Sequence, residues 1–402
     1  MAIERQTPDP AQEVEDMQDM TTERSTEDID NEIIEILEGL DEEGVQYQDD
    51  GSVILGEMEE EMGDVGFSEN LAEVVSQSEL SKIYIELTAA IENDKAARKD
   101  WEKTYTDGLK YLGMKFDDAR SEPFEGASGV IHPLLGESVT QFQAQAYKEL
   151  LPAQGPVKTQ VVGEYSAASE EQAQRVKEFM NYQIIHVMEE YDEDLDQMLF
   201  YLPLAGSAFK KVYYDENLQR AVSKFVAPED LIVPYYTTDL ESCPRITHVI
   251  KMPENEVKKL QAIGFYRDVK VSDGSDLSNA SGVKEEIERL DGMEPSYDTG
   301  EVSNLYEVHC NLDLEGFEDV NAEGEYTEVK LPYIVTIDSN SENILAIRRN
   351  FEEDDPMKNK IEYFVHFKFL PGLGFYGFGL THMIGGLSKA STSIVRQLID
   401  AG

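Results

Sequence analysis

Charge is unevenly distributed along this 402-residue chain, and its distribution limits where a folded core can form. Residues 1–80 contain 26 of the chain's 82 acidic residues but only 2 of its 34 basic residues. A segment with so much charge of one sign buries too little apolar surface to offset the entropy that is lost on ordering. We therefore predict that residues 1–79 form a largely disordered acidic tail and that the folded body begins at residue 80.

The whole chain has a formal net charge of −48. An acidic surface repels phosphate groups, so this charge disfavours a protein that wraps DNA or reads its grooves. Two cysteines are too few for a disulfide framework or a zinc cluster, and no apolar run reaches the ~18 residues of a membrane span. The first residues lack an apolar signal core, so we expect a soluble, non-secreted protein.

The most distinctive short motif is the glycine-rich run FLPGLGFYGFGL at residues 369–380. It contains Gly372-x-Gly374-x-x-Gly377 between a strand-like and a helix-like run, the context of a dinucleotide-binding fingerprint. However, Phe375 and Tyr376 would obstruct the approach of a pyrophosphate, and no second strand follows to supply the acidic group for the ribose. We therefore interpret the motif as a structural turn that redirects a strand into a helix. Its predicted turn residues are Pro371, Gly372, Gly374, Gly377 and Gly379.

No other motif indicates catalysis. The sequence contains neither a G-x-x-x-x-G-K-[ST] phosphate-binding loop nor a G-x-S-x-G nucleophile elbow. Its six histidines are scattered, and none pairs with a second histidine or a cysteine at metal-ligand spacing. We expect no enzymatic activity, no catalytic residue, no cofactor and no metal site.

Apolar periodicity predicts an α+β fold. A helical stripe begins with Leu80, Ile83, Leu87 and Ile91. Alternation predicts a short strand over residues 157–164, a hairpin around residues 215–217 and a β-rich unit from residue 305. In that unit one strand face is predicted to hold Tyr306, Val308, Cys310, Leu312 and Leu314.

A long helix is predicted to begin at a capping box formed by Ser169 and Gln172. Its apolar residues recur at helical spacing, and we interpret this stripe as part of a hydrophobic core. The stripe comprises Val176, Phe179, Met180, Ile184, Val187, Met188 and Tyr191.

Four stretches of the chain carry a resemblance to a known family. They are EPFEGASGVIHPLLGESVTQFQAQAYKELLPAQGPV, LPLAGSAFKKVYYD with FVAPEDLIVPY, PYIVTIDSNSENILAIRRNFEEDD, and FLPGLGFYGFGLTHMIGGLSKASTSIVRQLIDAG. In this order they resemble the portal proteins of tailed bacteriophages. The likeness extends over residues 80 to 402, its last stretch is the most specific, and the acidic segment before it contributes nothing.

The resemblance implies an α+β portal architecture with a mixed helix and strand wing, a small α/β clip and a channel-lining stem helix. Residues 80–252 would form the wing, residues 253–304 short helices and a linker in the first stem region, and residues 305–368 the β-rich clip. Residues 369–402 would form the glycine turn and a stem helix. Portal chains continue past this helix into a tunnel loop, so the C-terminal part would be missing.

The resemblance also implies a function, partners and a location. Portal subunits form a ring, usually of twelve copies, at one capsid vertex, through which double-stranded DNA is packaged and ejected. The expected partners are the terminase large subunit, capsid and scaffolding proteins, and tail adaptor proteins, with no membrane involved. Assembly would take place in the host cytoplasm and the product would reside in the virion. The alternative is an acidic scaffold or interaction protein without a DNA channel.

In such a ring, the helix after the glycine turn would line the channel. Lys389, Ser393 and Arg396 share its predicted polar side, and each position would repeat once per subunit. We expect these residues to face the channel, where two basic rings would touch passing phosphates weakly; pairing with acidic groups of the adjacent subunit is the alternative. The apolar side would pack on neighbouring helices through Met383, Ile384, Leu387, Ile394, Val395 and Leu398.

Overall fold

The computed structural model describes residues 66–114, 124–216, 218–271, 282–292, 302–320, 325–339, 341 and 343–402, and the backbone of two short strands before them. These strands, β1 (Val45–Tyr47) and β2 (Val53–Leu55), form an antiparallel pair. They belong to a unit that comprises Met1–Asp64, whereas a second unit comprises Val65–Gly402. Apart from these strands, the predicted tail up to residue 65 lies outside the described residues.

The described part of the second unit contains eight α-helices. They are α1 (Gln77–Ala97), α2 (Lys99–Lys110), α3 (Leu134–Leu150), α4 (Ala167–Tyr182), α5 (Tyr191–Ala205), α6 (Glu254–Ala262), α7 (Gly282–Asp291) and α8 (Leu380–Ala401). A 3-10 turn at Leu71–Glu73 precedes α1, and a π-helical turn at Gln183–Val187 follows α4. Among the described residues, no helix is both long enough and apolar enough to cross a membrane.

Two antiparallel sheets accompany these helices. Their strands are β3 (Ser207–Asp215), β4 (Arg220–Val226), β5 (Leu231–Ile232), β6 (Arg245–Pro253), β7 (Val302–Leu312), β8 (Leu331–Asp338), β9 (Ile344–Arg349) and β10 (Phe364–Lys368). One sheet has the order β10-β3-β4, and the other has the order β5-β6-β7-β8-β9. The fold is therefore α+β, as the sequence predicted.

The five-stranded sheet crosses the predicted limits of the wing and the clip. Strand β6, from the segment assigned to the wing, pairs with β7 along its whole length, from Arg245 opposite Cys310 to Pro253 opposite Val302. Strand β10, at the end of the segment assigned to the clip, pairs with β3 instead. The prediction of a separate domain over residues 305–368 is therefore wrong. Strands β7 and β10 form their backbone hydrogen bonds with β6 and β3, which lie in residues 207–253, so the two segments share one body.

Helix α1 covers one face of the five-stranded sheet, as its apolar stripe predicted. Leu80, Ile83, Leu87 and Ile91 are at most 5% exposed and pack in one cluster with the strand residues Tyr306, Val308, Cys310, Val335, Ile337 and Ile347. The predicted face of β7 is confirmed, since Leu312 and Leu314 also belong to this cluster. Burying each such side chain contributes about 1.5–3 kcal/mol, so this helix fixes the position of the sheet.

The folded body begins earlier than residue 80, which corrects the predicted tail boundary. Leu71 is fully buried, and the side chain of Asn70 hydrogen-bonds β9, the edge strand of the sheet. Asn70 Nδ2 donates to the Leu345 carbonyl at 3.0 Å, and the Ile347 N–H donates to Asn70 Oδ1 at 3.0 Å. The side-chain amide of Asn70 thus pairs with β9 as a neighbouring strand would, and it satisfies backbone groups that the edge strand would otherwise leave unpaired. Composition alone missed this because residues 66–79 are nearly as polar as the tail.

A buried polar cluster links the two sheets. Lys211 Nζ of β3 lies 2.6 Å from Glu307 Oε1 of β7, and His309 Nε2 lies 2.8 Å from the same oxygen. Burial raises the pKa of Glu307, but Lys211 and His309 more than offset this effect and hold it well below its usual range. The carboxylate is therefore ionised and paired, and it couples β3 to β7 where the sheets meet.

Two local predictions also need correction. Residues 157–164 form no strand and instead lie against α4, where the Val157 N–H donates to Asn181 Oδ1 at 2.9 Å. The cap of α4 is Ser166, and its hydroxyl accepts from the Ser169 N–H at 3.1 Å. Ser169 is therefore the third helical residue of the box rather than the cap, because a serine three residues earlier offers the same geometry.

Candidate functional site: the glycine turn and the C-terminal helix

The glycine-rich run forms a closed turn between β10 and α8. Leu370 and Phe378 exchange two backbone hydrogen bonds, of 3.2 and 2.9 Å, and thereby close the loop between them. All five predicted turn residues lie in or directly after this loop: Pro371, Gly372, Gly374, Gly377 and Gly379. Because β10 pairs antiparallel with β3, the turn does not belong to a parallel β-α-β unit.

The glycines allow two stretches of backbone to approach each other closely. A Cβ on Gly379 would lie 2.6 Å from the Leu204 carbonyl oxygen at the end of α5, and one on Gly377 would lie 2.3 Å from the Gly206 carbonyl. Gly206 has a φ of 85° and ends α5 in the left-handed conformation. The space that a dinucleotide-binding glycine would leave for a phosphate is therefore filled by the protein's own backbone.

The backbone N–H groups of the turn also have partners. The Gly377 N–H donates to Ser207 Oγ at 2.8 Å, and the Gly379 N–H donates to His382 Nδ1 at 3.2 Å. A phosphate at a helix N-terminus needs such donors to be free. At Gly377 and Gly379 the site therefore offers a phosphate neither space nor these two donors, and these two glycines serve close packing.

Two aromatic side chains anchor the turn. Phe375 is 5% exposed and stacks on Phe209 of β3, with ring centroids 5.8 Å apart. Tyr376 stacks on Trp101 of α2, with centroids 4.3 Å apart and ring planes 15° apart. The turn thus joins β3, α2 and α5 and fixes the direction in which α8 leaves the body.

Helix α8 contacts the rest of the chain through small polar residues. Thr381, Ser388 and Thr392 are its buried side chains, and Thr381 Oγ1 donates to the Leu204 carbonyl at 2.9 Å. Thr381 also lies against Gly108 of α2, where an added Cβ would come within 2.4 Å of its Oγ1 atom. Small side chains let the three helices approach closely, so this side of α8 is covered without an apolar stripe.

A segment that precedes α3 lies antiparallel along α8 and binds it through hydrogen bonds. The Ser128 N–H donates to Asp400 Oδ1 at 2.7 Å, and the His132 N–H donates to Thr392 Oγ1 at 3.1 Å. Between them, the Arg396 guanidinium donates to the Gly129 and Val130 carbonyls at 2.9 and 2.7 Å. Sequence reasoning missed this contact; the signal was the polar spacing of Thr392, Arg396 and Asp400, four residues apart on one helix side.

The predicted channel-facing residues do not share one environment. Lys389 and Ser393 are exposed, as a channel position requires, whereas Arg396 is engaged with the 128–132 segment of its own chain. The expectation that Lys389 and Arg396 form two equivalent basic rings is therefore corrected for Arg396, because its guanidinium satisfies carbonyls that would otherwise lack partners.

The predicted apolar side of α8 divides in two. Ile384 and Val395 are partly buried within the chain, whereas four large side chains are 57–69% exposed: Met383, Leu387, Ile394 and Leu398. We call these four the α8 stripe. Exposed large apolar residues that recur on one side of a helix are typical of surfaces that bind another molecule.

A second exposed apolar surface lies on α4. Val176, Phe179 and Met180 are 43–62% exposed, and among the residues of this helix only Asn181 is buried. The prediction that this stripe packs in the chain's own core is therefore wrong for α4. The helix faces the chain through Ala173 and Asn181 instead, because the Thr159 hydroxyl and the Val157 backbone bind it there.

No protein-family model matches the chain, and no curated protein matches it.

Proposed function

We propose that this chain is a portal subunit of a tailed bacteriophage, which assembles into a ring at a capsid vertex. The observation that carries the proposal is the α8 stripe, in which four large apolar side chains remain exposed on a helix whose other side is fixed to the body. The resemblance of four sequence stretches to portal proteins supports the same conclusion, and the α8 helix belongs to the most specific of them.

A closed ring requires two different surfaces on each subunit, because every subunit contacts one neighbour with each. The chain offers two exposed apolar surfaces on separate helices, the α8 stripe and the Val176, Phe179 and Met180 side of α4. A two-fold dimer would need only one self-complementary patch. The presence of two distinct surfaces therefore favours a ring over a dimer.

The charge of the chain suits a conduit for DNA. The net charge of −48 would repel a duplex from most of the subunit and keep it sliding, since each phosphate contact would add affinity. Lys389 is exposed on α8 and remains the candidate for a single basic ring, with Ser393 beside it. Arg396 holds the 128–132 segment in place and has a structural role in the proposal.

The proposed partners follow from the portal role. They are further copies of this chain, the double-stranded DNA in the channel, the terminase large subunit, capsid and scaffolding proteins, and tail adaptors. The chain itself would carry out no catalysis, and its place would be the virion. The alternative is an acidic scaffold or interaction protein that has no channel and exists as a monomer or dimer.

Particle mass and electron microscopy of the purified chain test the proposal. We expect rings of roughly twelve times the 45.4 kDa subunit mass. The variants Leu387→Glu and Ile394→Glu place a charge in the α8 stripe and should shift the mass to that of a monomer. Gln397→Glu makes the same charge change on the exposed polar side of α8 and should leave rings intact.

Two outcomes would contradict the proposal. A wild-type chain that remains monomeric or dimeric at micromolar concentration would favour the acidic interaction protein. Rings that persist in both stripe variants would show that the α8 stripe is not a subunit contact, and the observation that carries the proposal would then be lost.

A further inference from the structure

A cavity of about 360 Å³ lies between α5 and α7, away from the glycine turn. Tyr201 of α5 and Phe225 of β4 contribute aromatic rings to its lining, and Lys251 and Glu288 contribute charged side chains. Glu229 and Asp230, in the loop between β4 and β5, also line it. The volume is that of a small-molecule site, since ligand pockets range over roughly 300–1,000 Å³.

Glu229 is the unusual member of this lining. It is only 5% exposed, and its Oε2 atom is shielded from solvent and accepts no hydrogen bond from the described part of the chain. A buried carboxylate oxygen without a donor is costly, so such a group normally has a partner. In this structure the partner would come from the cavity.

The cations near Glu229 are engaged elsewhere. Lys284 Nζ lies 2.5 Å from Asp230 Oδ1 and forms an ion pair with that neighbour. The Arg98 guanidinium donates to two backbone carbonyls, those of Glu229 and Leu231, at 2.6 and 2.9 Å. Among the described residues, neither Lys284 nor Arg98 is recorded as donating a hydrogen bond to the carboxyl group of Glu229.

We propose that this cavity binds a small organic cation, whose ammonium or guanidinium group donates to the Glu229 carboxylate. The rings of Tyr201 and Phe225 would contact the alkyl part and favour the positive charge through their π faces. A carboxylate beside aromatic walls suits an organic cation better than a strongly hydrated metal ion, which prefers several oxygen ligands. The proposal is independent of the ring assembly.

Ligand binding at this site should depend on pH, because the bound cation competes with a proton for the Glu229 carboxylate. Burial, followed by the negative charge of Asp230, raises the pKa of Glu229 to about 7, although Lys284 and Arg98 oppose the shift. A cation binds the ionised form and therefore displaces the proton. Between pH 6 and pH 8 the ionised fraction rises about tenfold for such a group, and the affinity should rise by the same factor. The other titratable or charged groups around the cavity are Asp230, Lys284, Arg98, Lys251, Glu288, Tyr105 and Tyr201.

Calorimetry with butylammonium chloride tests the proposal on the full chain at constant ionic strength. We expect binding in the millimolar range at pH 8 and about tenfold weaker binding at pH 6. At pH 6, where the carboxyl group is mostly protonated, binding should release a proton when two buffers of different ionisation enthalpy are compared. Glu229→Gln should weaken binding at least tenfold and abolish the proton release. Glu285→Gln makes the same charge change at an exposed position of α7 and should bind within twofold of wild type.

Two further probes define the ligand. Tetramethylammonium carries the charge but no N–H donor, so it should bind at least about fivefold more weakly than butylammonium. Nα-acetyl-lysine methylamide places the same ammonium on a peptide backbone. Tighter binding of this probe would assign the site to a lysine side chain of a protein partner, and tighter binding of butylammonium would assign it to a free amine.

The proposal is overturned if wild type binds neither amine at about 20 mM, if the affinity does not change between pH 6 and pH 8, or if Glu229→Gln binds as wild type does. Circular dichroism of Glu229→Gln shows whether the variant is folded. The pH dependence and proton release of wild type test the site without any substitution.

Discussion

Helices α4 and α5 are similar in length and both carry apolar residues at helical spacing, yet α5 is largely buried in the chain and α4 is largely exposed. In α5, seven of fifteen residues are buried, including Leu195, Met198 and Leu199, because the helix packs between α3 and the strands β3 and β4. In α4, one of sixteen residues is buried, and that residue is the polar Asn181. The difference shows that an apolar stripe at helical spacing does not by itself tell whether that helix face is buried within its own chain.

Local interactions hold α4 in place despite its exposure. The reciprocal box of Ser166 and Ser169 caps its first turn, and Asn181 exchanges hydrogen bonds of 2.9 and 3.2 Å with the backbone of Val157. An isolated helix of this length is marginal in water, so these contacts help to explain why it forms. The exposed apolar sides of α4 and α8 are the two surfaces that the proposed ring would cover.

The largest loss of stability is expected when the residues that cover the β9 edge strand are removed. Two N-terminal truncations test this. Removal of residues 1–76 deletes Asn70 and the fully buried Leu71, which cover the β9 edge, and should lower the unfolding free energy by about 4 kcal/mol or more. Removal of residues 1–64 should change it by less than about 0.5 kcal/mol, because that acidic segment lacks the apolar content for a core. Urea unfolding of both proteins measures the difference. Equal stabilities would show that residues 66–76 do not stabilise the sheet.

Matched alanine variants test directly whether α5 is buried and α4 is exposed in the folded chain. Leu199→Ala removes a side chain that is 1% exposed and should lower the unfolding free energy by about 3 kcal/mol through the cavity it leaves. Phe179→Ala removes a larger side chain that is 62% exposed and should cost less than about 0.5 kcal/mol in a monomeric background such as Leu387→Glu. A similar loss for both variants in urea unfolding would mean that α4 is covered by its own chain.

A smaller loss of stability is expected at the glycine turn. There the variants test how closely two backbone segments approach each other, rather than the burial of a side chain. Gly379→Ala should lower the unfolding free energy by about 2 kcal/mol, because its Cβ would meet the Leu204 carbonyl. Gly374→Ala is the control, since nothing lies within 4 Å of its added Cβ, and it should be nearly neutral. Thermal unfolding of the two variants would contradict this account of the turn if both were equally stable. Gly377, whose φ is not positive, is constrained by the same kind of approach.

The sequence by itself determined the elements whose signals are local. The hairpin of β3 and β4, with Asp215 opposite Arg220, follows from alternation and a polar turn, and α1 follows from the spacing of Leu80, Ile83, Leu87 and Ile91. The position of the glycine turn between β10 and α8 was also predictable, because its glycines stand between a strand-like run and a helix-like run. These inferences depend only on the 3.6- and 2-residue periods and on side-chain size, both of which a sequence displays directly.

Only the tertiary structure decided which surfaces meet. The strands of residues 231–253 and 302–349 joined in one sheet, Asn70 paired with a strand 275 residues away, and Arg396 turned to the carbonyls of the 128–132 segment. On α8, the small residues Thr381, Ser388 and Thr392 became the buried side, whereas the α8 stripe remained exposed. The physical reason is that buried backbone groups must find hydrogen-bond partners and that small side chains let helices approach closely. Both conditions depend on residues far apart in the chain, and no local pattern records them.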